Sequence, residues 1–306
     1  MHADLSANTA HLPCLADAGE DGRLRDPHTA ANVLGVAVDA VDLDHALDRV
    51  QRLLRLRTKG YVCAVSVHGV LEARRDPSVA RAFADAAMVV PDGTPMVWVG
   101  RLQGKRDMRQ VTGPDLMYEI VRRPEFAGLS HFFYGGKQGV ALDLALAWMR
   151  KVPGTRVAGT YTPPFRDLTA EEESKLIEML NQTKPDILWV GISTPRQELF
   201  MRRILPHLER GVMFGVGAAF DFHTGRVRDC AAWIKRIGFQ WLHRLMQDPR
   251  RLWRRNLWNA TFLWHIALQL TGLKKYGLGW PTAIEDESAG PQPASARSSS
   301  SAGGSA

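Results

Sequence analysis

The chain of 306 residues is 45% hydrophobic and 23% charged, a balance that suits a folded globular protein and excludes a wholly disordered one. Its net charge of +7 favours anionic partners, and Cys14, Cys63 and Cys230 are widely spaced with no Cys-x-x-Cys pair, which argues for a reducing compartment and against a structural zinc. No run reaches the ~18–20 apolar residues that cross a bilayer, and no charged-then-apolar leader opens the chain, so the sequence predicts a cytoplasmic protein that is still free to lie on a membrane.

Residues 1–30 lack apolar periodicity and read as a disordered head. The strand and helix patterns begin after them. Residues 31–41 (ANVLGVAVDAV) form a short strand pair, and Asp44 is expected to cap an amphipathic helix with Leu47, Val50, Leu53 and Leu54 on one face. YVCAVSV (61–67) is a buried strand, followed by helices from about His68 to Arg75 and from about Arg81 to Ala86. AMVVPDG (87–93) is a strand running into a turn, and Gly113-Pro114-Asp115 opens a helix with Pro at a favoured early position.

The second half repeats this rhythm. SHFFYGG (130–136) is a strand ending in two glycines, then a helix runs through Trp148 and Met149, and RVAGTY (156–161) is the next strand. Thr169 and Glu172 make a capping box for the following helix. DILWVGI (186–192), a helix over about 195–208, and GVMFGVG (211–217) complete the pattern. Fully apolar strands alternating with helices predict a Rossmann-like α/β domain over 31–226, with a parallel sheet covered by helices on both faces.

From residue 227 to about 280 the pattern becomes helical and basic, a C-terminal appendage in which Lys235, Arg236, Arg244, Arg250, Arg251, Arg254 and Arg255 face only Asp248 between 235 and 255. Residues 281–306 (including ARSSSSAGGSA) read as a disordered tail.

Ligands of such sheets bind beyond the carboxyl ends of the strands. Four polar strand ends are therefore candidates. Asp92 lies in the VVPDGTP turn, although capping the helix near Thr94 is the simpler reading. Asp221 in GVGAAFDF is delivered the same way, with the same simple alternative. GISTPRQE offers Arg196, Gln197 and Glu198 at a helix start, where Glu198 would merely complement the dipole. In YGGKQG, Gly135 and Gly136 allow a phosphate or ribose to approach a helix N-terminus. Four such ends in one sheet exceed what capping requires.

In order, VPDG, VTGPDLM, FFYGGKQGVA, PDILWVGISTPRQE, GVGAAFDFHTGRV and WLHRLMQDPRRLWRR resemble the WecG/TagA/CpsF family of bacterial glycosyltransferases over roughly Asn32 to Asn256. The resemblance implies transfer of N-acetylmannosamine, its uronic acid or glucose from a UDP-sugar to a polyprenyl-diphosphate-linked saccharide, as in exopolysaccharide or cell-wall polymer synthesis. It implies Asp92 as the catalytic base, Gln197 and Asp221 as donor-site or active-site polar residues, and Arg244, Arg251 and Arg254 as arginines brought over the site by the appendage. Two departures concern the donor sugar. Ala64-Val65-Ser66 stands where the family often has Thr-Pro-Asn, which makes Ser66 the candidate polar contact. Gln110 stands where an Arg commonly precedes Val-x-Gly-x-Asp, with Arg109 beside it. His68 or Arg109 is the expected substitute for those contacts.

Inverting transfer requires a base for the acceptor hydroxyl, an in-line anomeric carbon and stabilisation of the departing diphosphate. The Asp-x-Asp pair Asp42-Leu43-Asp44 is remote from Asp92 and Asp221 in sequence and reads as a helix cap. Metal-independent catalysis without a cofactor is therefore expected, with the three arginines in the cation's role. Trp241, Leu242, Leu245, Leu252, Trp253, Leu257 and Trp258 interleave with the arginines, as in a helix lying on an anionic membrane at the inner face of the cell membrane. Packing on the sheet domain or on a second subunit of a homo-oligomer is the equal alternative. A nucleotide-dependent oxidoreductase is disfavoured by the lack of G-x-G-x-x-G after the first strand, and a nucleic-acid-binding protein by the polar strand ends it would leave idle.

Overall fold

The computed structural model describes residues 29–226 and 249–278, the side chains of the latter segment from residue 260 onward. The expected head and tail, and most of the appendage before Pro249, lie outside the described residues.

The chain opens with an antiparallel hairpin, β1 (Ala30–Val33) and β2 (Val36–Asp39), followed by α1 (Leu43–Arg55). Next come β3 (Gly60–Val65), α2 (Val67–Arg75), α3 (Pro77–Ala84), β4 (Met88–Pro91), α4 (Thr94–Leu102) and α5 (Gly113–Arg122). The second half comprises β5 (Ser130–Gly135), α6 (Val140–Lys151), β6 (Arg156–Tyr161), α7 (Ala170–Thr183), β7 (Ile187–Gly191), α8 (Arg196–Ile204), β8 (Val212–Gly215) and α9 (Ala219–His223). Helix α10 (Pro249–Leu270) follows. Strands β3 to β8 form one six-stranded sheet, parallel throughout, in the order β4-β3-β8-β7-β5-β6.

Successive strand side chains point to opposite faces, so the apolar strands feed two separate cores. On one face Tyr61, Cys63, Val65, Met213, Leu188, Val190, Phe132 and Tyr134 pack with α2, α3, α7 and α8, and with Phe262 and Ile266 of α10. On the other face Val62, Phe214, Ile187, Trp189 and Phe133 pack with α1, α5, α6 and α9. The predicted doubly covered α/β sheet is the fold of the protein.

Local signals placed most helix ends. Thr169 and Glu172 form the predicted capping box, and Thr112 caps α5 by accepting from Asp115 N. Two expectations need correction. Asp42, not Asp44, caps α1 by accepting from His45 N, and Asp44 instead takes the guanidinium of Arg123 at 2.7 Å. The helix expected at 81–86 starts earlier, at Pro77, because Asp76 caps it and Pro77 occupies its first turn.

The order of the strands locates the crevice. Strand β5 leads through α6 outward to the edge strand β6, whereas its neighbour β7 leads through α8 the other way, to β8. Helices α6 and α8 belong to opposite cores. Chain segments that leave adjacent parallel strands toward opposite faces part at their carboxyl ends, and the gap between them is where such sheets accept ligands.

Candidate active site at the carboxyl edge of the sheet

At the switch point the backbones of β5 and β7 touch. Gly135 has φ +134° and Gly136 φ +74°, and Gly136 N donates to Gly191 O at 3.1 Å. A Cβ on Gly135 would lie 2.5 Å from Gly191 O, so only glycine fits. The two glycines let the turn into α6 pack closely on Gly191 and Val140, and the N-terminus of α6 faces the same edge.

Asp92 leaves β4 beside the end of β3, where its backbone N–H donates to Val65 O at 2.9 Å. The cap of α4 is Gly93, so the helix-capping reading of Asp92 does not hold. Gln110 Nε2 donates to the backbone carbonyl of Asp92 at 2.9 Å, and Val111 N donates to Pro91 O at 2.9 Å. These bonds lay the segment before α5 across the edge of the sheet. That segment continues to Gly113, where an added Cβ would stand 2.9 Å from Val216 Cα just beyond β8. Gln110 therefore sits directly on Asp92, and the β4 and β8 ends are joined by one crossing segment.

Strand β3 ends at Val65, so the residues leaving its edge are Ser66, Val67 and His68 rather than Ala64 and Val65. Ser66 stands at the N-cap of α2 without a side-chain capping bond and is half-buried. His68 Nδ1 lies 3.8 Å from Glu72 Oε1 one turn on. Arg109 does not join this group. Its Nη1 donates to the carbonyls of Arg106 (2.8 Å) and Met108 (3.2 Å), which folds the guanidinium onto its own loop.

Asp221 lies within the short helix α9, half-buried, and His223 on the same helix bonds Pro114 O through Nε2 at 3.0 Å. Gln197 is only 2% exposed. Its Oε1 accepts from Gly217 N at 3.1 Å and its Nε2 donates to Glu198 Oε1 at 2.9 Å. Gln197 thus braces the turn after β8 from beneath rather than presenting its amide to solvent. Arg244 lies outside the described residues, as do the side chains of Arg251 and Arg254 on α10.

Glu198, a strand-end candidate for which dipole complementation is the simple alternative, is 0% exposed, and burial pushes its carboxyl above the usual carboxylate range. The signal for that burial was present: positions 197, 198, 201 and 204 share one helix face, and Met201 and Ile204 are buried. Ser193, at φ +69°, and Thr194 went unremarked at the exit of β7. Among the described residues no group of three or more His, Cys, Asp or Glu side chains is placed to hold a metal ion.

Ser66, Asp92, Gln110, Asp221, Gly135 and Gly136 thus lie on turns and first helical turns that leave the carboxyl edge of the sheet, a setting that suits an anionic ligand. The protein is similar to two N-acetylglucosaminyldiphosphoundecaprenol N-acetyl-beta-D-mannosaminyltransferases. The Bacillus spizizenii enzyme is 27% identical over 186 residues, covering 61% of this chain and 70% of that protein. The Bacillus subtilis enzyme is 25% identical over 169 residues, 55% of this chain and 64% of that protein, a little under two thirds of its length. The sequence pattern of one glycosyl transferase family matches residues 31–276, which takes in the whole sheet, its rim and α10. On that match and this geometry, the chain belongs to the WecG/TagA/CpsF glycosyl transferase family.

Proposed function

We propose that the protein transfers a hexose or N-acetylhexosamine from a UDP-sugar to a polyprenyl-diphosphate-linked saccharide, with inversion at the anomeric carbon. The observation that carries this reading is the placement of Asp92. Its backbone is held from two sides, by Val65 O and by Gln110 Nε2, at the carboxyl edge of a sheet whose switch point is two strands away from β3. The two Bacillus relatives bear names that specify a diphosphoundecaprenol-linked acceptor, which supports the same class of acceptor here.

In this mechanism the Asp92 carboxylate takes the proton of the acceptor hydroxyl. The acceptor oxygen forms its bond to the anomeric carbon as the bond from that carbon to the diphosphate oxygen breaks, and UDP leaves with the electron pair. A rigidly placed base contributes about 10²–10⁴-fold. The Gly135–Gly136 turn and the N-terminus of α6 receive the nucleotide phosphates or ribose. Asp221 and Ser66 contact the sugar. Arg244, Arg251 and Arg254 neutralise the leaving diphosphate, a task guanidinium forks perform without a metal ion.

The acceptor's lipid places the reaction at a membrane. No described helix is long and apolar enough to cross one. Helix α10 nevertheless exposes Leu263 and Trp264, with Leu270 and Leu273 further on, and no charged residue occurs between Asn256 and Leu273. Arg254 and Arg255 precede this stretch and Lys274 and Lys275 follow it, the composition of a helix lying on an anionic surface. We place the protein at the inner face of the cell membrane on this ground.

The test is a panel of UDP-sugars with a polyprenyl-diphosphate N-acetylglucosamine acceptor, with and without EDTA, and with the product anomer determined by NMR. Transfer by the wild-type protein, unaffected by EDTA and nearly abolished in a folded Asp92→Ala variant, is the expected result. Wild-type-like turnover by Asp92→Ala would end the base assignment.

A further inference from the structure

We propose that Glu198 is a positioning residue, which grips Gln197 and through it sets the β8–α9 turn that carries Asp221. The chain of contacts is continuous. Thr194 Oγ1 and Gln197 Nε2 both donate to Glu198 Oε1 at 2.9 Å. With its amide so oriented, Gln197 turns Oε1 to the Gly217 N–H at 3.1 Å. Gly217 begins the turn into α9 at φ +55°, four residues before Asp221. Gln197 Nε2 also lies beneath β8, 3.1 Å from where a Cβ on Gly215 would stand. One side chain at the exit of β7 thus couples two strand-end turns at the candidate site.

The environment also dictates in which form Glu198 does this. The carboxyl is fully buried, no ion pair reaches it among the described residues, and its Oε2 has no hydrogen-bond partner. A carboxylate there has the Thr194 and Gln197 donors but no opposing charge, whereas the neutral acid carries no charge and still offers Oε1 to both. Burial accordingly raises its proton affinity. Glutamine is then an adequate replacement, since its amide oxygen can accept the same two bonds, and alanine is not.

This inference rests on the transferase reading only for its activity arm, so the test includes an arm that does not depend on catalysis. Amide hydrogen exchange over residues 212–224 is measured in wild type, Glu198→Gln, Glu198→Ala, Gln197→Ala and the Gln197→Ala/Glu198→Ala double variant, beside kcat/KM for the UDP-sugar. Glu198→Ala should speed exchange at Gly217 and lower kcat/KM by about tenfold each, the effect of one lost buried hydrogen bond. Glu198→Gln should stay within about threefold of wild type in both, an upper bound set at half that loss. In the Gln197→Ala background the second substitution should add nothing, because the effect passes through Gln197. Unchanged exchange in Glu198→Ala, a Glu198→Gln variant as impaired as Glu198→Ala, or additive losses in the double variant would each overturn the proposal. If Glu198→Ala does not fold, Glu198→Gln decides alone: near-wild-type exchange supports the brace, and a tenfold change overturns it. A wild type that transfers no sugar would refute the transferase reading while leaving the exchange result standing.

Discussion

Replacing Gly135 by alanine tests whether the backbone contact at the switch point is as close as the fold requires. Gly135 has φ +134°, and an added Cβ would meet Gly191 O, C and N at 2.5, 2.7 and 2.9 Å. These are backbone atoms of β7, which cannot swing aside as a flexible side chain would. A useful reference is Gly154→Ala in the turn after α6, where φ is +93° but nothing lies within 4 Å. Both variants meet the backbone strain of an unfavourable φ, about 1–3 kcal/mol. Gly135→Ala must in addition part β5 from β7 where Gly136 N bonds Gly191 O at 3.1 Å. Overpacking of about 1–3 kcal/mol and a lost hydrogen bond of about 1 kcal/mol bring its cost to roughly 3–7 kcal/mol. At about 2–4 °C per kcal/mol for a domain of this size, Gly135→Ala should melt some 5–15 °C below Gly154→Ala. Thermal unfolding of the two variants is the assay, with urea unfolding at matched m-values as its check. Equal losses in the two variants would refute the argument from close approach.

Three further outcomes are expected. His131 is 3% exposed, accepts from Trp189 Nε1 at 3.2 Å, and burial lowers its pKa to about 4. Because the folded value lies below the unfolded one of about 6.5, stability is full above pH ~6.5 and falls toward pH ~4 by on the order of 3 kcal/mol; urea melts of His131→Gln across that range should lack this slope. Glu172 is depressed to about 2, first by the Arg166 guanidinium and then by the Thr169 backbone N–H. Its contribution is complete above the unfolded value of about 4.3 and disappears as pH falls to about 2, so wild type and Glu172→Gln should differ at pH 6 and converge near pH ~2 in thermal melts. Leu263→Ser/Trp264→Ser should weaken sedimentation with anionic liposomes several-fold while leaving folding intact, and unchanged binding would discard α10 as the docking face.

The strand ends were legible in the chain because short apolar runs there break into turn residues. Asp92 and Gly135 stand at such breaks, whereas Asp221 lies past the turn after β8, inside α9. Arg109 and Gln110 could not be told apart, since adjacent residues in a loop have no periodicity to assign them to a face. Only the folded segment shows Gln110 turned onto Asp92 O and Arg109 turned away onto its own loop. At a helix start Glu198 looks like dipole compensation until its helical face is followed to the buried Met201 and Ile204.

The sequence alone determined the alternation of strand and helix, the double covering of the sheet, the start of α5 at Gly113-Pro114 and the capping box at Thr169, because periodicity and caps are consequences of backbone geometry within a few residues. Which strands are neighbours, where the switch point falls, and that Glu198, Gln197 and Gly217 form one chain of hydrogen bonds were decided only in three dimensions. Those contacts join turns at the exits of β7 and β8, about 20 residues apart, and such closures are selected by packing of the whole core rather than by any local preference.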